Sequence, residues 1–169
     1  MRRQMCLEEQ EALYRSIGRC IWHIQYVEDA LHTLVALKVE IKTPGAVAED
    51  MAHELLKKHR RATLGTALRT ARDNNSLPQD LFSRLLNLKE ERDWLVHRSQ
   101  HQDGYSLYTD VGRQAVFQRL EALLNEAVSL QPAIAEQIRL FVESHGVCYE
   151  TARKSAERKI AALKGIADS

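Results

Sequence analysis

The chain has 169 residues, enough for one domain with a real core and too few for two substantial ones. Its 24 Lys and Arg against 23 Asp and Glu leave a formal net charge of +1, so overall charge gives no argument for a nucleic-acid partner, and any RNA site must be a local patch. Cys6, Cys20 and Cys148 are odd in number and contain no CxxC pair, which argues against a disulfide framework or structural zinc, and no apolar run of membrane length occurs, so the expectation is a soluble, cytoplasmic protein with no membrane partner and no cofactor.

Residues 7 to 42 read as one long helix, with Leu13, Ile17, Cys20, Ile21, Ile24, Val27, Leu31, Leu34, Val35 and Val39 recurring at helical spacing. Pro44 ends it, because a proline disfavours helix at the residue before it. A second helix is predicted over Val47 to Arg72, in which Gly65 points either to close packing or merely to a weak helix position. The run Asp73, Asn74, Asn75, Ser76 is a turn, and Ser76 with Gln79 has capping-box spacing ahead of a third helix from Pro78 to about Arg98.

Gly104 then interrupts the pattern, leaving an ordered loop or a short hairpin. A fourth helix starts at Asp110, with Pro132 predicting a kink or break, and Gly146 is a natural terminator. Tyr149 to Ile166 is a further, basic helix. The fold expected is therefore all-α, an up-and-down bundle of four to five long helices over residues 1–146 followed by a helical tail over 147–169.

The segment Glu90-Glu-Arg-Asp-Trp-Leu-Val-His-Arg98 carries the most chemistry. Leu81, Leu85 and Leu88 form an apolar seam whose next members are Arg92 and Leu95, so a guanidinium stands where a core residue is due. An unpaired buried charge would cost several kcal/mol, so Arg92 needs a partner, water or a ligand. His97 lies five residues on, about 140° around and about 7.5 Å along a regular helix, so Arg92 and His97 diverge. Asp93 is four residues before His97, the spacing at which a carboxylate can hold an imidazole in one tautomer and form an oriented acid/base unit.

This arginine, polar residue, three further residues and histidine, followed by Arg98 near the end of the third long helix, resembles the Arg-x4-His signature of HEPN domains. The likeness in helical organisation extends over roughly the first 145 residues. The resemblance implies an all-α homodimer and a metal-independent endoribonuclease of a toxin-antitoxin or phage-defence system, with Arg92, Asp93 and His97 as catalytic positions. An imidazole can exchange a proton with a ribose 2′-hydroxyl or a leaving 5′-oxygen, and a guanidinium can hold the charge developing on phosphorus. It also implies RNA and an antitoxin, such as a nucleotidyltransferase, as partners. Where some members carry a tyrosine two residues after the histidine, this chain has Ser99, so modification at that position is not carried over. Other members are catalytically inactive interaction or dimerisation modules, and that is the alternative reading. A weaker third reading is a small helical adaptor whose tail docks a partner protein.

Candidate RNA contacts lie elsewhere too. Trp94 offers an aromatic face on which a base could stack, with core packing as the competing role, and Arg98 follows the motif. Lys57, Lys58, Arg60 and Arg61 make the densest basic run, although consecutive helical residues cannot all face one ligand. Arg153, Lys154, Arg158 and Lys159 give the tail its charge, as a phosphate-binding appendage or a solvated face. His97 and His101 share a zinc-compatible spacing, but no Glu follows His97 as a metalloprotease requires. Trp22, His23, Gln25 and Glu28 form a mixed patch on helix one, part of which is expected to face helix three.

Overall fold

The computed structural model describes residues 2–41 and 49–163. They form seven α-helices: α1 (Leu7–Glu40), α2 (Glu49–Arg60), α3 (Leu64–Asp73), α4 (Gln79–His97), α5 (Ser99–Asp103), α6 (Asp110–Ser144) and α7 (Tyr149–Leu163), with a 3-10 turn over Ser106–Tyr108. The chain is all-α. None of these helices is long and apolar enough to cross a membrane.

Six helices and the tail helix α7 stand where four to five and a tail are expected, because the predicted second helix breaks at Arg61–Thr63, and because the segment after Arg98 coils into α5 and the 3-10 turn instead of an ordered loop or a hairpin. Thr63 explains the break. Its hydroxyl accepts from the Thr66 N–H at 3.2 Å, which satisfies one of the free donors at the start of α3 and makes a new helix start there. Thr109 does the same for α6 through the Gly112 N–H, at 3.1 Å. The Ser76 and Gln79 cap does not form: Pro78 takes the cap position without a side-chain bond, and Ser76 is buried with its carbonyl accepting from Lys38 Nζ at 2.7 Å. The predicted end of the first helix at Pro44 and the predicted start of the second at Val47 lie outside the described residues.

Contacts between elements fix their directions. Glu9 meets Arg113, Cys20 meets Leu120 and His23 meets Gln131, ascending in both chains of contact, so α1 and α6 run parallel. Arg84 meets Glu126 and Arg119 meets Glu91, in opposite order, so α4 runs antiparallel to α6. Between the three lies the core, with Val27, Leu31 and Leu34 of α1, Leu85 and Leu88 of α4, and Leu120, Leu130 and Ile134 of α6 almost fully buried. Each such side chain contributes about 1.5–3 kcal/mol by leaving water. α3 adds Leu64, Ala67 and Leu68.

Pro132 lies inside α6, which continues past it as one helix rather than breaking there. Pro132 and Val128, whose carbonyl loses its partner, both lie on the exposed side, where solvent can take over the bond. Gly146 closes the helix with φ +76°, a conformation that favours glycine. Gly65 is a close approach: a Cβ there would stand 3.1 Å from Lys89 Cε. Gly18 differs, because a Cβ would meet nothing within 4 Å, yet glycine inside a helix costs about 0.5–1 kcal/mol relative to alanine.

Candidate functional site on helix α4

The last three turns of α4 carry Lys89, Arg92, Asp93 and His97. The helix turns Arg92 toward α1, where its Nε stands 3.6 Å from Glu28 Oε1, an ion pair too long to count as a hydrogen bond. Its Nη1 donates to Asp93 Oδ1 at 3.2 Å. The seam position thus holds a guanidinium with two carboxylate neighbours, and its side chain is one-third exposed, so it is not a charge sealed in the core.

Glu28 bears the larger desolvation. Its Oε1 is buried without a hydrogen-bond partner, and burial pushes the carboxyl pKa up, against the attraction of Arg92. The other buried side-chain atom without a partner among the described residues is His32 Nε2, and burial pushes that imidazole's pKa down. Of the mixed patch on α1, Glu28 meets α4, His23 turns to Gln131 of α6, and Trp22 and Gln25 face outward.

Asp93 does not hold His97. Its Oδ2 accepts from Lys89 Nζ at 2.7 Å, and that bond, with Arg92 adding to it, holds the carboxyl below the usual carboxylate range. His97 is exposed at the end of the helix and makes no side-chain hydrogen bond among the described residues. Asp93 and His97 do border one open recess, together with Lys89, Glu90 and Arg98. Arg98 caps the helix and sends Nη2 to the Glu90 carbonyl at 3.2 Å. Arg92 does not line this recess; it leaves the helix about 140° from His97 and turns toward Glu28 of α1.

Trp94 cannot stack a base. It is 1% exposed, its Nε1 donates to Asp103 Oδ2 at 2.7 Å, and the Arg119 guanidinium lies 3.7 Å over its ring. Residue 94 points toward α6, where a large aromatic fills the space and a cation seals its face. Asp103 and Arg119 are not singled out by the sequence, since nothing local announces partners nine and 25 residues away. Lys89 was readable, being four residues before Asp93.

Half of the other basic candidates are paired with carboxylates, and all of those described lie apart from the recess. On α2, Lys57 pairs with Glu54, Lys58 with Glu40, and Arg60 with Asp29 through two hydrogen bonds, while Arg61 is exposed. In α7, Arg153 is held by Glu150 and Glu157, and Lys154 and Arg158 are exposed; the side chain of Lys159 lies outside the described residues. Neither α2 nor α7 contributes to the recess. No group of three or more His, Cys, Asp or Glu side chains suited to a metal ion occurs among the described residues.

A second arginine outside the sequence reading is Arg113. It is 5% exposed, with Nη1 donating to the Leu107 carbonyl at 2.9 Å and further ion pairs to Glu9 and Asp110. These bonds tie the start of α1 to the start of α6, so they position the bundle rather than the recess.

Comparison of the chain with protein-family models, with curated proteins and with solved structures finds no match.

Proposed function

We propose that this all-α chain is a HEPN-like bundle acting as a homodimeric, metal-independent endoribonuclease of the toxin-antitoxin or phage-defence kind. His97 is the proton carrier, exchanging a proton with the 2′-hydroxyl or the leaving 5′-oxygen. Attack of the 2′-oxygen on phosphorus with departure of the 5′-oxygen leaves a 2′,3′-cyclic phosphate and a 5′-hydroxyl. Lys89 and Arg98 are suited to hold the phosphate beside it, and Arg92 acts from the second copy, since it and His97 leave one helix about 140° apart. The supporting observation is the exposed, unengaged imidazole of His97 in an open recess that it shares with Arg98, Glu90 and the Lys89–Asp93 pair. RNA and an antitoxin such as a nucleotidyltransferase belong to the same proposal as partners.

The test is cleavage of single-stranded RNA in EDTA, read by the 2′,3′-cyclic end. Wild type should cleave, and folded His97→Ala and Arg92→Ala should not; cleavage surviving in His97→Ala removes the reading. Because Asp93 is committed to Lys89, Asp93→Ala should weaken cleavage less than either.

A second reading, an inactive HEPN-like interaction module, is favoured by the engagement of Arg92 with Glu28 and Asp93, which gives that arginine a structural task without RNA. Absence of cleavage across diverse RNAs would select it.

A further inference from the structure

Among the described residues, the outer face of α1 is covered over about its last third and bare before it. From Asp29 onward α2 lies on it: Arg60 bonds Asp29, His59 bonds Glu40, and His32 and Ala36 are buried. Five turns before Ala36, on the same face, stands Gly18. Around it Tyr14 is 68% and Trp22 60% exposed, and Ile21 and Tyr26 are exposed as well. Exposed aromatics in such a row are the residue types that anchor interfaces. Trp22 is already fixed, its Nε1 donating to Tyr26 Oη at 3.0 Å and the two rings meeting edge to face at 5.8 Å. Little side-chain freedom is left to lose on association.

We infer that α1 pairs antiparallel with α1 of a second copy, about a two-fold axis at Gly18. This deepens the homodimeric reading above by naming the face, and it rests on that reading only for the number of copies. At about 100° per residue, Tyr14 and Ile21 lie to one side of the glycine, and Arg15 and Trp22 to the other. A two-fold axis across antiparallel helices brings each side against its own kind one turn before and one turn after the axis. Tyr14 of each copy then meets Ile21 of the other, and Arg15 meets the face of Trp22, a cation–π pair. The glycines meet at the crossing, where the missing Cβ lets the backbones approach, and this explains a helix-interior glycine that the chain's own packing does not need.

Charge agrees with the same register. Eleven residues before Gly18 is Leu7 and eleven after it is Asp29, so the start of one α1, with exposed Glu8 and Glu11, faces the Asp29 level of the other. There Arg60 is already held by Asp29, and Arg61, which follows the end of α2, is exposed. The acidic start of each α1 thus faces an exposed arginine of the other copy, and a parallel pairing would lose this.

The experiment is sedimentation or light scattering of the full chain at micromolar concentration. The expectation is a dimer in the wild type, about thirtyfold weaker association in Trp22→Ala, and a monomer in Gly18→Arg with unchanged helical circular dichroism. Gly18→Ala should leave the thermal stability of the dilute monomer equal or higher, since the added methyl meets nothing within one chain, and should weaken the dimer, where the same methyl stands at the crossing. A monomeric wild type, or a dimer indifferent to Gly18→Arg, overturns the inference, including the case in which a monomer cleaves RNA. A Gly18-dependent dimer that cleaves no RNA upholds it while removing the ribonuclease reading.

Discussion

On the α6 side of α4, Arg84, Glu91 and Trp94 each end against a group on another element, whereas on the opposite side Lys89 and Asp93 pair within α4 and His97 pairs with nothing among the described residues. Arg84 and Glu126 share two hydrogen bonds, Glu91 and Arg119 two more, and Arg119 then lies over the Trp94 ring. The difference separates a helix surface spent on holding the bundle from one left to solvent. Long-range bidentate pairs fix helix against helix, while an i, i+4 pair only stiffens its own turn.

Substitutions on the two sides should therefore differ in scale. Trp94→Ala should cost about 3–5 kcal/mol in urea unfolding followed by circular dichroism, because it empties the space under Arg119 and strands Asp103. A loss below about 1 kcal/mol would mean that this side is not what secures α4.

Arg92→Met sits between the two faces and should cost about 1–2 kcal/mol at pH 7, because it removes the cation nearest to the buried Glu28 oxygen. The sign with pH follows from Glu28. Its folded pKa is raised above the unfolded value of about 4.5, so its contribution to stability is fully present below that pH and is lost as pH rises through the folded value. The penalty of Arg92→Met should accordingly shrink at pH 4, and Glu28→Gln should be no less stable than wild type at pH 7. Equal penalties for Arg92→Met at both pH values would contradict this assignment of the burden to Glu28.

On the open side, Asp93→Asn should cost only about 0.3–0.5 kcal/mol, the worth of a helical i, i+4 pair. Because Lys89 lowers the Asp93 pKa, that contribution is present above the unfolded value of about 4 and vanishes as pH falls through the folded one. His97→Ala should change stability by less than about 0.5 kcal/mol, so thermal melts of this variant separate a lost activity from a lost fold.

Much of this was legible from apolar spacing. The limits of α1, α4 and α6 and most of their buried leucines follow from 3.6-residue recurrence, because each helix has a single covered stripe. The break at Thr63 was readable in principle, as a threonine three residues before Thr66, but a cap inside an apolar-periodic run competes with the periodicity and was outvoted. Asp93 shows where spacing stops deciding. Lys89 and His97 are both four residues from it, and the Lys89 ammonium, with three donors on a flexible stem, takes the carboxylate. Arg92 stands in the seam as expected, yet its partner Glu28 sits 64 positions earlier, and no local pattern encodes that pairing. The environments of Trp94 and Arg113 are of the same kind, set by which helices become neighbours.

Cys20 makes the α1–α6 seam observable without any substitution. Its Sγ lies 3.2 Å from the Leu120 carbonyl at 1% exposure, and burial pushes the thiol pKa up, whereas Cys6 and Cys148 are exposed. A colourless thiol reagent added to the native chain should therefore consume two sulfhydryls at once and the third only as fast as the first helix lifts from the sixth. The slow phase is a built-in clock for breathing of the bundle, and its rate in each variant reads opening directly where a melting curve reads only the end state.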